Sequence, residues 1–296
     1  MKVIIYTVSL FFLCSCASNK INSQNKKEEI QVVLLAGQSN MVGAGNYDEL
    51  DKTIKKRIEK NSDRVSLVFN GKKVSPLTWY KNNPTEKYNF TKRFGPELLF
   101  GLTLAEKYPD KEFVLIKRSQ GGTALYGAWN PNWSSDKAKA VEKPKKQSLQ
   151  LYAQHLEDIK ISLVSIQKEN KTFKILGLLW MQGENDAAIE ISATTYKENL
   201  KNLIDSYRTE FIESKMPFVV GQINSNYGKF KNKGSKMVRT FMEEIANEDK
   251  NVAIIKTSMD KSWLDYPKHS DNIHYNSEGQ KRLGIAFANK LIELIN

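Results

Sequence analysis

Cysteine and histidine are scarce: two Cys and three His in 296 residues. Both cysteines, Cys14 and Cys16, sit at the N-terminus. The rest of the chain therefore has no disulfide framework and no thiol nucleophile, and little from which to build a zinc site. Glycine (16) and proline (8) are too sparse for a collagen-like chain. Nor is there an apolar run long enough to span a membrane as a helix; the longest such stretch, Val3 to Leu13, is interrupted by Thr7 and Ser9. Acidic residues are outnumbered, 33 Asp plus Glu against 45 Lys plus Arg, for a formal charge of +12. Basic runs occur at Lys52/Lys55/Lys56/Arg57/Lys60, Lys137/Lys139/Lys143/Lys145/Lys146 and Lys229/Lys231/Lys233/Lys236. No recognised nucleic-acid module accompanies them, so no nucleic-acid partner is expected and a solvated basic surface is the preferred reading. Attraction to acidic glycans or to an anionic membrane surface is the functional alternative.

Met1-Lys2 followed by the short apolar run reads as a secretory signal. It ends in Leu13-Cys14-Ser15-Cys16, which resembles a bacterial lipobox. Cys16, preceded by the small Ser15, fits the lipid-attachment position better than Cys14, preceded by Leu13. The expectation is a signal over residues 1–15, a polar tether over 16–29 and a single domain over 30–296. That predicts an exported protein, lipid-anchored to a bacterial membrane on its periplasmic or cell-surface side, with a plain cleaved secretory signal as the alternative.

After the tether, apolar runs alternate with helical patterns. Strands are expected at Ile30–Ala36, Arg64–Phe69, Phe113–Lys117, Phe173–Met181, Pro217–Ile223 and Val252–Lys256. Helices are expected at Phe94–Lys107, Ser148–Lys168, Tyr196–Phe211, Met237–Asn247 and Ser277–Ile295. Near-continuous apolar strands such as IQVVLLA suit a parallel sheet buried on both faces. The alternation predicts an α/β fold with helices on both sides of that sheet, and chemistry in the loops at the carboxyl ends of its strands.

Those loops carry four polar blocks. The first strand runs into Gly37-Gln38-Ser39-Asn40-Met41, where Ser39 suits either a nucleophile on a sharp turn or a helix N-cap. The third strand is followed by Ser119-Gln120-Gly121-Gly122-Thr123, whose glycine pair exposes backbone N–H groups or simply makes a turn. The fourth leads into Gln182-Gly183-Glu184-Asn185-Asp186, a source of side-chain amide donors for an oxyanion or of helix caps. Before the last helix comes Asp271-Asn272-Ile273-His274. A carboxylate three residues ahead of a histidine can fold back onto Nδ1, leaving Nε2 to take a proton. His155 lies within a helix, and His269 has no carboxylate at that spacing, so His274 is the better base. The aromatic loop from Tyr126 to Trp133 offers Trp129 and Trp133 either to a sugar ring or to the edge of the core.

The order of these blocks resembles the SGNH hydrolase superfamily. More closely, it is similar to the sialate O-acetylesterase and acetyl-xylan esterase branch, carbohydrate esterase family six. The resemblance rests on Gly37-Gln-Ser-Asn-Met41, Phe94-Gly-Pro-Glu97, Gly121-Gly-Thr123, Met181-Gln-Gly-Glu-Asn-Asp-Ala187 and Asp271-x-x-His274, and spans residues 30 to 290. It implies a flavodoxin-like three-layer sandwich and a serine esterase that removes O-acetyl groups from hemicellulose or sialic acid through an acetyl-enzyme. Ser39, Asp271 and His274 would be catalytic. The oxyanion hole would draw on Ser39, on Gly121 or Gly122, and on the amide of Gln182 or Asn185. Gln38, Trp129 and Trp133 are the candidate substrate contacts. No metal or organic cofactor is implied, and the expected partners are an acetylated carbohydrate and, through Cys16, a membrane. The other readings are an esterase for different acyl esters and a non-catalytic glycan-binding lipoprotein on the same fold.

Overall fold

In a computed structural model, residues 27–260 and 262–296 are described. The segments expected to be the signal (1–15) and most of the tether (16–29), with the candidate lipid-attachment residue Cys16, lie outside them. The last tether residues already belong to the domain: the Glu28 carbonyl accepts from Thr172 N at 2.8 Å, and the first strand begins at Glu29.

The strands in chain order are β1 (Glu29–Gly37), β2 (Gly45–Asn46), β3 (Val65–Phe69), β4 (Ser75–Pro76), β5 (Tyr80–Lys81), β6 (Lys92–Phe94), β7 (Phe113–Ser119), β8 (Thr172–Met181), β9 (Phe218–Gly221) and β10 (Val252–Ile255). The helices are α1 (Ser39–Val42), α2 (Lys52–Asn61), α3 (Pro96–Lys107), α4 (Ser135–Val141), α5 (Leu151–Lys168), α6 (Glu184–Ala187), α7 (Glu190–Thr194), α8 (Tyr196–Glu210), α9 (Lys231–Glu248) and α10 (Ser277–Ile295).

The main sheet has the order β10-β9-β8-β1-β7-β3-β4, parallel throughout except for β4. Its central five strands, β7-β1-β8-β9-β10, have the flavodoxin order 2-1-3-4-5. Strands β3 and β4 extend that core beyond β7. Alternate residues of β1 feed two separate cores. Val32, Leu34 and Ala36 pack with Trp180, Leu203 and Ile159 on one face; Val33 and Leu35 pack with Leu99, Phe100 and Phe287 on the other. Each of these fully buried valine and leucine side chains contributes on the order of 2 kcal/mol.

The expected strands and the long helices are present, with boundaries moved by a few residues. Phe94, read as the first helical residue, is instead the end of β6 in a small antiparallel sheet, β2-β6-β5. The helix starts at Pro96, where a missing N–H costs nothing. Helix α9 begins at Lys231, earlier than its apolar stripe suggests. Helices α2 and α4 were not foreseen. Each has a side-chain cap: Asp51 accepts from Ile54 N at 2.8 Å, and Ser134 from Lys137 N at 3.2 Å.

The chain leaves β1 to build one side of the sheet and returns past it to build the other. The switch point therefore lies at the carboxyl end of β1, between β7 and β8. Gly37 closes β1 there at φ +153°, and a Cβ on it would lie 2.1 Å from Met181 O of β8. Only glycine lets the two strand ends approach so closely.

Candidate active site

Ser39 opens α1 directly beyond the switch point. Its turn is pinned at both ends. At the front, Gln38 N donates to Met181 O at 2.9 Å. At the back, the Val42 carbonyl accepts from Lys117 Nζ at 3.1 Å and from the Tyr80 hydroxyl. Lys117 pairs with Glu97 at 2.6 Å, both side chains wholly buried, and the other Glu97 oxygen accepts from Gly95 N at 2.9 Å. Burial lowers the proton affinity of Lys117, and the Glu97 charge opposes that.

Asn40, the next residue, joins three blocks. Its Nδ2 donates to Glu184 Oε1 at 2.8 Å and to Ile273 O at 3.1 Å, and its Oδ1 accepts from Tyr275 N at 3.1 Å. Ile273 and Tyr275 flank His274, so this side chain ties the Ser39 turn to the histidine loop. Burial holds the Glu184 carboxyl above the ordinary range.

In the histidine loop, Asp271 folds back as the spacing suggested. Its Oδ1 accepts from the backbone N–H of Ile273 and His274, each at 2.9 Å, and its Oδ2 lies 2.6 Å from His274 Nδ1. Lys87 pairs with the same Oδ2 and stands 3.1 Å from His274 Nδ1. Burial raises the Asp271 carboxyl, but the His274 N–H and Lys87 outweigh it and hold the group well below the usual carboxylate range. Burial is also the main cause that lowers His274; Asp271 opposes it, and Lys87 and Arg93 add to the lowering. Among the described residues His274 Nε2 has no protein partner. The other histidines are occupied. His155 is fully buried between the Tyr207 hydroxyl (2.8 Å) and Ile116 O (3.1 Å), its pKa lowered by burial to about 4. His269 Nε2 lies 2.9 Å from Ala44 O.

The glycine pair abuts Ser39: a Cβ on Gly121 would stand 3.4 Å from Ser39 Cβ. Gly122 turns the chain at φ +64°. Among the described residues no acceptor takes the backbone N–H of Ser39, Gly121 or Gly122. The two amide candidates differ. Gln182 is fully buried, and its Nε2 already has Gln38 Oε1 (3.2 Å), Thr123 O (3.1 Å) and Asp186 Oδ2 as acceptors. Asn185 is half-buried, its side-chain amide has no partner among the described residues, and its Oδ1 lies 3.9 Å from where a Cβ on Gly122 would be.

Two sequence expectations are corrected here. Gln38 does not face a ligand. It is 2% exposed, and its Oε1 accepts from Gln182 Nε2, from Gly183 N at 3.5 Å and from Asn185 N at 3.3 Å. Trp129 is 0% exposed and packs edge-on against Trp180 at 5.3 Å, so it is core and cannot stack on a sugar. Trp133 is half-buried, with its indole N–H unpartnered among the described residues. Asn40 was missed as a functional residue, because its partners lie 144 and more than 230 positions away.

A flavodoxin-ordered sheet with Ser, Gly, Asn and His blocks gathered at its switch point defines an SGNH-type hydrolase. A family model described as carbohydrate esterase, sialic acid-specific acetylesterase, matches residues 29–293, and the chain belongs to that family. It is therefore a carboxylic ester hydrolase that acts on acetyl esters of carbohydrates. Three solved structures share the fold. A protein from Arabidopsis thaliana superposes with a TM-score of 0.65 at 20% identity, covering 90% of this chain and 100% of that one. NanS gives 0.59 at 14% identity, covering 91% and 97%. The carbohydrate acetylesterase XAC1771 from Xanthomonas citri gives 0.59 at 18% identity; 89% of this chain is covered but only 56% of that one, so this chain spans little more than half its length. No curated protein matches the chain in sequence.

Proposed function

We propose that the enzyme cleaves O-acetyl esters of sugars by a serine mechanism. Ser39 attacks the acetyl carbonyl. His274 Nε2 takes the serine proton and returns it to the leaving sugar oxygen, and Asp271 fixes the Nδ1–H tautomer and steadies the imidazolium. Water then releases acetate by the same route. The oxyanion is held by the N–H groups of Ser39 and of Gly121 or Gly122, and by the Asn185 amide; Gln182 is bound up in the wall behind it. The observation that carries this reading is the Asn40 bridge, which sets the turn of Ser39 against the residues on either side of His274. Acetate release from 4-nitrophenyl acetate is the test. It is expected to vanish in Ser39→Ala, and a variant that keeps wild-type turnover overturns the assignment.

The charge around the site supports an acidic sugar. Lys87 and Arg93 act on His274, and Lys146 stands against the glycine pair. Of the acids nearby, Asp271 is paired with Lys87 and His274, and Glu142, Glu184 and Asp186 are buried, which leaves Arg93 without an acidic partner among the described residues. O-acetylated sialic acid, which carries a carboxylate, is thus favoured over acetylated xylan. Comparing the two with longer-chain nitrophenyl esters tests this, and a preference for xylan or for long acyl chains overturns it. The anchor is proposed from Leu13-Cys14-Ser15-Cys16 alone. Cys16→Ser is expected to leave the membrane fraction, and continued membrane partition refutes the anchor without touching the esterase.

A further inference from the structure

Lys146 belongs to a basic run that reads as solvated surface, yet its side chain is turned toward the glycine pair. The short 3-10 turn Pro144–Lys146 points its side chain at the glycine pair. Its Nζ donates to the Gly121 carbonyl and, at 3.0 Å, to the Gly122 carbonyl. It lies 2.9 Å from where a Cβ on Gly122 would stand, the same point that the Asn185 side chain approaches. The Gly121 carbonyl shares a peptide group with the Gly122 N–H. The neighbouring peptide, which bears the Gly121 N–H, is capped in the same way: Thr123 Oγ1 donates to Gln120 O at 2.8 Å. A donor on a carbonyl oxygen polarises the whole peptide group and strengthens its N–H as a donor, most of all when the cap is a cation in a poorly solvated place.

We propose that Lys146 is a positioning residue of the oxyanion hole, clamping the Gly121–Gly122 turn by its carbonyls and strengthening the N–H groups it presents. This rests on the serine reading above. The clamp holds the left-handed glycine turn in place before substrate arrives, and its charge acts in the transition state, when the oxyanion forms.

The charged groups that face the Lys146 ammonium are Glu142, at the end of α4, and Lys143, from the same turn; Asp186 lies behind the loop on α6. Burial lowers the proton affinity of Lys146, Glu142 opposes this and Lys143 adds to it. The clamp is therefore lost, as pH rises, below the ordinary lysine range.

The test is the hydrolysis of 4-nitrophenyl acetate across pH by wild type, Lys146→Met, Lys146→Arg and Ser39→Ala. Lys146→Met is expected to lower kcat about tenfold, less than loss of a direct oxyanion donor, with KM within about twofold. Its alkaline limb should disappear. Lys146→Arg should restore most of kcat and move that limb to higher pH, because a guanidinium keeps its proton. Wild-type kcat in Lys146→Met, a loss confined to KM, or an unmoved alkaline limb in Lys146→Arg overturns the proposal. Should the methionine variant fail to fold, the arginine limb decides alone. If Ser39→Ala is inactive while the lysine variants behave as wild type, only this inference fails. Activity surviving in Ser39→Ala removes the serine reading itself.

Discussion

The two halves of the site are built differently. The half that carries Ser39 stands on the ends of β1 and β8 and is fixed from beneath by buried polar contacts: Gln38 to Gln182, Asn40 to Glu184, Lys117 to Glu97. The half that carries His274 is a partly exposed loop, ordered chiefly by one carboxylate, Asp271, which takes up two backbone N–H groups, the imidazole and Lys87. The first half gains its precision from the sheet, which cannot shift without moving both cores. The second gains it from local electrostatics, and Asn40 is the seam between them. Damage to the buried contacts of the first half should therefore appear as lost stability, and damage to the second mainly as lost rate and a changed pH response.

That contrast can be broken most directly at the loop. Asp271→Asn should lower kcat by about 10⁴-fold by presenting the wrong tautomer, with little change in Tm; a comparable fall in stability would erase the distinction. In the strand-end half the two amides should separate. Asn185→Ala is expected to cost about 10²- to 10³-fold in kcat with stability kept. Gln182→Ala should instead destabilise the fold by roughly 1–3 kcal/mol, since Gln38 and Asp186 lose their buried donor. Denaturant unfolding alongside steady-state kinetics distinguishes the two. At the seam, Asn40→Ala should reduce kcat by about 10²-fold through misplacement of Ser39 relative to His274, and also unfold more easily. The two tryptophans extend the comparison to the aromatic loop. Trp129→Ala should cost roughly 3–5 kcal/mol as a core deletion, whereas Trp133→Ala should leave stability intact and change KM only. The smallest effect concerns pH. His274 must be neutral to act as base, so kcat/KM falls as pH drops through its pKa. Burial and Lys87 place that acid limb below the ordinary histidine range, and Lys87→Met should move it up by a fraction of a unit.

What could be read from the sequence follows the range of the interaction. The strands were legible because burial on both faces leaves continuous apolar runs, and the histidine loop because Asp271 and His274 meet within three residues. The flavodoxin order placed Ser39, Gly121 and Asn185 together once the strands were known. Asn40 and Gln38 were not legible as linkers, since their partners are set only by how β1, β8 and the last loop converge. Trp129 sits in an aromatic loop that reads equally well as a sugar platform; its burial depends on β8 and α5 closing over it. Lys146 and Lys87 carry no local mark that separates them from the solvated lysines around them, and only the fold brings them to the site. Helices α2 and α4 are short and strongly charged, so their caps speak more clearly than their apolar stripes.

The antiparallel extension of the sheet has a further consequence. A parallel sheet that ended at β3 would expose a row of backbone N–H and C=O groups along an open margin. Here that margin is covered by β4, only Ser75–Pro76, whose proline has no N–H to offer. The opposite margin, β10, is four residues long and is followed by exposed Lys256. Both rims are therefore short, and they offer a neighbouring strand only a few residues on which to register.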